Sequence, residues 1–385
     1  MDKNGGFSMK KQLFFVLCLV LSVFSPCTAT LPAFQAELNE QIRGAQSDLH
    51  EGECLYAGVV GERNYSHAVA FLLRAAGQNV DLLVRKKALV LLGQIYYYGG
   101  YGVTQDFVAA YDFLNAFTCY YQVVSQDVSV VERDLLATAY FYLAAIVSGG
   151  NEVITQNGTM AKQFLEKAFQ LSSQVVMQVM ALVRLGQLFF IGHETLPQDL
   201  WLAWGCFSIA HDLIQENPEV PAELKAEIYC ARADIVRVGN PAHQVGKDYI
   251  QAVNWYITAY QMLQETDCEL RYEVLLRAAT LLFEGGYGLQ RDVSRAQSYV
   301  QHVTEEANGD DLRRAKGFLL LGDISVELDD RQQAIDCYIA VLDLTMDEDS
   351  REFTLLSTQA EERLSVLVGN RSSETSGTGA SARGA

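Results

Sequence analysis

Few residues in this chain stand at spacings that support chemistry. His193-Glu194 opens like a zinc-protease helix, in which two histidines four residues apart hold the metal and the glutamate takes a proton. Pro197 occupies the place of the second histidine, and the six histidines are dispersed with no ligand spacing. Two Gly-Gly-Tyr-Gly stretches, at 99–102 and 285–288, could cradle a phosphate with backbone N–H groups. Neither ends in Gly-Lys-Ser/Thr and neither follows a strand pattern, so both read as turns between helices. No Gly-x-Ser-x-Gly elbow occurs. The cysteines stand at 18, 27, 54, 119, 206, 230, 268 and 337; the last six include no Cys-x-x-Cys pair. Most have apolar neighbours and read as small core residues, with one or two bridges left open. No metal or cofactor is expected and the chain reads as noncatalytic, although groups from distant segments could converge on one site.

The elements that would position any site emerge from self-similarity. Seven alanines align: Ala68, Ala110, Ala161, Ala203, Ala252, Ala296 and Ala334. Four residues before each stands Asn64, Asp106, Asn157, Asp199, Asp248, Asp292 or Asp330. Asp and Asn are the residues that cap a helix, their side-chain oxygen accepting from an otherwise unpaired first-turn N–H. Three residues after each alanine come Phe71, Phe113, Phe164, Cys206, Trp255, Tyr299 and Cys337, and position +7 is always apolar. Offsets 0, +3, +4 and +7 share one helical face. This is the second helix of a repeated pair. Two of the caps, Asn64 and Asn157, also open glycosylation sequons, as does Asn370; capping is the plainer role of the first two.

A first helix precedes it. Its clearest copies are 91–99, 184–192 and 277–285, with a small residue (Gly93, Gly186, Ala279) six before a closing glycine. Glycine there suits a left-handed helix stop. Gly99 to Asp106, followed by Ala110, and Gly285 to Asp292, followed by Ala296, resemble the Sel1-like repeat. The resemblance is strongest over 85–117 and 271–303 and extends across roughly 53–342. Alanine spacings of 42, 51, 42, 49, 44 and 38 exceed the family's usual period, which points to longer helices and joints such as Tyr120–Val131 and Leu213–Pro221.

The fold expected is therefore an all-α solenoid of about seven helix-turn-helix repeats over 53–345, with capping helices at 30–52 and 346–368. Phe34, Leu38, Ile42 and Leu49 would form the apolar stripe of the first cap, and Phe353, Leu356, Ala360, Leu364 and Leu367 that of the second. Residues 369–385, rich in Gly, Ser, Thr and Ala, are expected to be a disordered tail. Residues 1–29 have the order of an export signal: Lys10 and Lys11, an apolar run from Leu13 to Phe24, Pro26, then Thr28-Ala29. The run is too short to span a bilayer, which needs about 20 residues.

The resemblance implies an adaptor, since Sel1-like proteins include exported bacterial adaptors and an endoplasmic-reticulum adaptor of protein degradation. In tetratricopeptide-type solenoids the first helices line the concave wall. Positions −2, +1 and +5 from the small residue would face a partner there: Leu91, Gln94 and Tyr98; Arg184, Gln187 and Ile191; Arg277, Thr280 and Glu284. Net charge is −18, which disfavours nucleic acid and favours a basic protein or peptide partner. The compartment expected is a bacterial periplasm or the exterior, or the endoplasmic-reticulum lumen or exterior in a eukaryote. The competing readings are a repeat-built envelope hydrolase and a purely structural envelope protein.

Overall fold

In the computed structural model the regular structure is helical. The structure describes residues 30–376 apart from 60, 79–80, 125–128, 240–245, 267, 308 and 347–349. The expected export signal at 1–29 lies outside the described residues, as do 377–385 of the expected tail. Among the described residues fifteen helices follow one another: α1 (Thr30–Ala57), α2 (Tyr65–Gly77), α3 (Leu82–Tyr98), α4 (Phe107–Val124), α5 (Val130–Gly149), α6 (Gly158–Leu171), α7 (Val175–Ile191) and α8 (Leu200–Glu216). Then come α9 (Ala222–Val238), α10 (Tyr249–Leu263), α11 (Leu270–Glu284), α12 (Val293–Glu306), α13 (Asp311–Glu327), α14 (Arg331–Thr345) and α15 (Arg351–Ser376). Among the described residues extended pairing is limited to three isolated bridges in turns.

Every aligned Asp or Asn caps a helix. Asn64 accepts from His67 N–H at 3.1 Å, Asp106 from Val108 and Ala109 at 2.9 and 3.0 Å, and Asn157 from Met160 at 2.9 Å. Asp199 accepts from Trp201 and Leu202, Asp248 from Gln251, Asp292 from Arg295 and Asp330 from Gln333. The same seven residues work a second time. Each donates its own N–H to the carbonyl three residues past the small position of the first helix: Leu55, Tyr96, Val147, Phe189, Val236, Leu282 and Ser325. These carbonyls belong to the last turns of their helices, which lack partners inside the helix. One residue thus closes one helix and opens the next, which sets the geometry of the pair.

The helix stop recurs more widely than the three clearest copies predict. Gly58, Gly99, Gly150, Gly192, Gly239 and Gly285 all have φ between 63° and 75°, and Asp329 takes the equivalent turn at 61°. Six before each glycine stands Gly52, Gly93, Ala144, Gly186, Ala233 or Ala279; in the last pair Gly322 is the small residue, seven before Asp329. The reason is close packing. A methyl group at Gly93 would lie 2.5 Å from Leu114, and one at Gly186 would lie 2.7 Å from the Phe207 ring. The residue facing the small position is therefore four past the aligned alanine: Leu72, Leu114, Leu165, Phe207, Tyr256, Val300 or Tyr338, each at most 4% exposed. The aromatics at +3, which share that helical face, are only half-buried.

The chain divides into two compact units at Val123/Val124. In the first, α2 packs between α1 and α3, and Leu114 of α4 seats on Gly93 of α3. In the second, each helix from α5 to α15 packs on the next, and first helices also touch: α5 with α7, α7 with α9, α11 with α13 and α13 with α15. Both expected caps need correction. Helix α1 continues unbroken past residue 52, because nothing before Gly58 stops it, and Ala45, Leu49 and Gly52 make it the first helix of the first pair. Helix α15 starts at Arg351 and runs to Ser376, into the segment expected as tail; Leu356 and Ala360 bury its inner face. The expected joints are shorter than predicted: α4 reaches Val124, with 125–128 outside the described residues, and α8 reaches Glu216.

Candidate binding face

The first helices carry their −2, +1 and +5 residues outward in both units. In the first unit, Leu91 and Gln94 are half-buried, and Tyr98 is 52% exposed with its ring edge-on to Tyr97 at 5.2 Å. In the second unit, Arg184 and Glu284 are exposed, Gln187, Arg277 and Thr280 are half-buried, and Ile191 is 69% exposed.

The structure joins these residues through partners the sequence did not single out. Gln187 Nε2 donates to Glu227 Oε1 at 2.7 Å, and Arg184 approaches the same oxygen at 3.8 Å. Arg277 Nη1 reaches Asp234 Oδ2 at 2.5 Å while its Nε holds Glu273 at 3.0 Å. Arg313 bonds Glu269 at 3.0 Å and approaches Glu273 at 3.8 Å; Lys316 approaches Glu352 at 3.5 Å. Arg363 clasps both oxygens of Asp323, at 2.6 and 3.0 Å. The result is a ladder of opposite charges linking α7 to α9, α9 to α11, α11 to α13 and α13 to α15. The missed signal was one of register. Asp234 and Asp323 hold the same +1 position as Gln94, Gln187 and Thr280, in first helices outside the three clearest copies.

A cleft of about 360 Å³ opens in the middle of this ladder, lined by Asp234, Arg237, Tyr249, Arg277, Thr280 and Glu284. Arg277, Thr280 and Glu284 are thus brought to one site, whereas Leu91, Gln94 and Tyr98 belong to the other unit. Burial opposes the charge on Arg277, but the surrounding Cys230, Asp234 and Glu273 outweigh it and raise its pKa. Burial pushes the Cys230 thiol up to about 12, so it is protonated at neutral pH and is a poor nucleophile. Arg237 and Arg277 pair with Asp234, and Arg277 also with Glu273, while Glu284 stays exposed at the edge of the cleft. Among the described residues no three His, Cys, Asp or Glu side chains cluster to hold a metal. All six described cysteines are free thiols. His193 sits in a turn, its N–H bonded to the Leu196 carbonyl, with its side chain against Gly158.

The Gly-Gly-Tyr-Gly segments are two copies of one turn. Gly100 and Val103 exchange backbone hydrogen bonds at 2.7 and 3.0 Å, and Gly286 and Leu289 do so at 2.9 and 3.0 Å. Tyr101 and Tyr287 both take a left-handed conformation, at φ 47° and 48°. Each ring rests on a tyrosine at the start of the preceding second helix, Tyr65 at 4.9 Å and Tyr249 at 4.8 Å. A family model described as the Sel1 repeat matches residues 52–80, 86–116, 137–173, 179–210 and 239–262. The chain carries five Sel1 repeats between residues 52 and 262. The unit around Ala296 lies beyond the matched segments, yet its turn has the same geometry as the one before Asp106.

A curated relative, eukaryotic elongation factor 2 kinase of Homo sapiens, is 38% identical over 72 residues, covering 16% of this chain. The match spans a tenth of that kinase's length. Among solved structures, one titled as c5321, a protective antigen present in uropathogenic Escherichia coli strains displaying an SLR fold, is 15% identical. The alignment covers 91% of this chain and 98% of that one, with a TM-score of 0.20. Sel1 repeats generally mediate contacts between proteins, and a protein or peptide is the class of partner they imply here. Among the described residues no helix is long and apolar enough to cross a membrane.

Proposed function

We propose that this chain is a noncatalytic scaffold that holds a protein or peptide on the first-helix face of its repeats. The observation that carries the reading is the charge ladder: the ionisable side chains of that face neutralise one another from helix to helix and leave exposed contact groups between them. A catalytic cleft needs the opposite arrangement, with acid, base or nucleophile aimed at one point. Ile191 and Glu284 are the most available contacts of the second unit, and Tyr98 of the first. The surplus of 47 acidic over 29 basic residues favours a partner of basic character and salt-sensitive association. Lys10, Lys11 and the apolar run to Phe24 support action outside the cytoplasm, in a bacterial periplasm or beyond the cell.

The test is affinity capture and crosslinking in the native organism with the chain from residue 30 as bait, followed by titration of the purified partner. Ile191→Ser with Glu284→Ala should weaken that partner's binding at least tenfold while leaving the helical circular dichroism unchanged. Arg277→Ala is a poor probe, because it also leaves Asp234 and Glu273 without their cation. Unaltered affinity in the double variant would eliminate the face, and binding indifferent to salt would eliminate the basic partner. Recovery of a mature protein that retains residues 1–29, confined to the cytoplasm, would refute export.

A further inference from the structure

One arginine of the second unit stands apart from the ladder. In six of the seven pairs the residue before the small position of the first helix is Glu51, Leu92, Leu143, Leu185, Ala278 or Leu321, and the last five are buried apolar side chains. In the fifth pair it is Arg232, before Ala233. A charge has replaced a core residue.

Two tryptophans make room for it. Trp204 on α8 and Trp255 on α10, the second helices on either side of α9, place their ring centres 5.2 and 4.5 Å from the guanidinium carbon. Both contacts lie within cation–π range, and the two ring centres are 6.1 Å apart, so the indoles form one corner against the guanidinium and do not sandwich it. Its edges carry the N–H donors. The Nε–H is buried and meets no acceptor among the described residues, and no carboxylate among them comes within ion-pair distance of the group. Asp212 lies near enough to be felt electrostatically, but its bond is to His211 Nδ1 at 3.4 Å. The contrast with the ladder is chemical. Arg237, Arg277, Arg313 and Arg363 all have pKa values raised by neighbouring acids, whereas burial lowers that of Arg232.

We infer that Arg232, held in the corner formed by Trp204 and Trp255, is a receptor for a carboxylate carried by a partner protein, either an acidic side chain or a chain end. A guanidinium packed against two indole rings has lost part of the freedom that usually opposes ordering, and its fork matches the two oxygens of a carboxylate. A single small anion meets the chain's net charge of −18 and binds weakly, so the site selects an acid only where that acid is delivered by a larger interface or at high concentration. The site does not depend on the first-helix face, since its walls come from second helices.

The molecule holds its own reporter. Two of its three tryptophans flank Arg232, so Trp201→Phe leaves an intrinsic fluorescence confined to the site. In that background the full chain is titrated with N-acetylglutamate amide, which offers only a side-chain carboxylate, and with N-acetylglycine, which offers only a terminal one. N-acetylglutamine amide and sodium chloride at matched ionic strength are the controls. A saturable change with either acid, absent with both controls and at least tenfold weaker in Arg232→Leu, supports the site; the responding probe identifies the source of the carboxylate. Arg232→Lys keeps the charge without the fork and should fall between the two, and it decides the matter if the leucine variant fails to fold. A response no different from sodium chloride, or unchanged in both variants, overturns the inference and leaves Arg232 a structural filler of the core.

Discussion

Tyr256 and Tyr338 occupy the same register in different repeats and form the same bond in different surroundings. Each is fully buried against the small residue of its pair, and each donates its hydroxyl at 2.7 Å to an aspartate one residue further on, Asp234 or Asp323. The other five pairs place Leu, Phe or Val there and need no acceptor. Asp234 lies inside the stack, 14% exposed, and serves Tyr256, Arg277 and Arg237 together. Asp323 lies near the end, 28% exposed, and serves Tyr338 and Arg363 of the terminal helix. The difference shows that a buried hydroxyl is admitted to this core only with its acceptor, and that the acceptor is tolerated only with an arginine from the next first helix.

The largest expected effect is that of Asp234→Ala, which strands a buried tyrosine and two arginines. It should lower stability by about 2–4 kcal/mol, less than a fully buried pair would lose because Arg277 remains a third exposed. Urea unfolding measures it, and a loss no greater than that of Asp323→Ala would abolish the distinction between interior and end. Asp323→Ala should cost about 1–2 kcal/mol. Its loss should be local, appearing as faster amide exchange from Leu356 to Leu364 with the other helices unaffected; uniform acceleration would contradict this.

A chemical readout sharpens the same contrast. Burial holds the Cys230 and Cys337 thiols at about 12 and about 11 in the folded chain, and both should resist alkylation at pH 8 while exposed Cys119 reacts. Asp234→Ala should open Cys230 and leave Cys337 protected, as peptide mass spectrometry would show. The smallest effect concerns His211. Burial, with help from the Arg232 charge, holds its pKa below the ordinary 6.5. The unfolded chain therefore binds the proton first as pH falls, so this contribution is complete above pH 6.5 and is lost as pH drops through the folded value. His211→Gln should flatten the stability profile between pH 7 and 5, and a steeper profile would reverse the sign.

Much of the fold could be read because its instructions are local. Each Asp or Asn at −4 answers the orphan N–H groups of its own helix, and each closing glycine sits where L side chains are strained, so both signals recur at constant offsets. The outward face followed by subtraction once the small residue was aligned. The limits of α1 and α15 were harder, since both carry polar exposed faces, and Gly52 and Gly369, which stand where the expected caps end, lie within the helices without stopping them. The ladder was invisible for a different reason: Arg277 and Asp234, or Arg363 and Asp323, are 43 and 40 residues apart, and their pairing depends on how successive pairs stack.

The amino-acid order alone determined that this is a repeat of helix pairs, where each second helix starts and which residues turn outward, because those outcomes rest on hydrogen bonds and periodicities spanning a few residues. Tertiary structure alone decided which charges cancel, which tyrosine finds an acceptor and which guanidinium is left against two indoles. Such choices depend on distances between side chains from different repeats, and those distances exist only after the helices have packed.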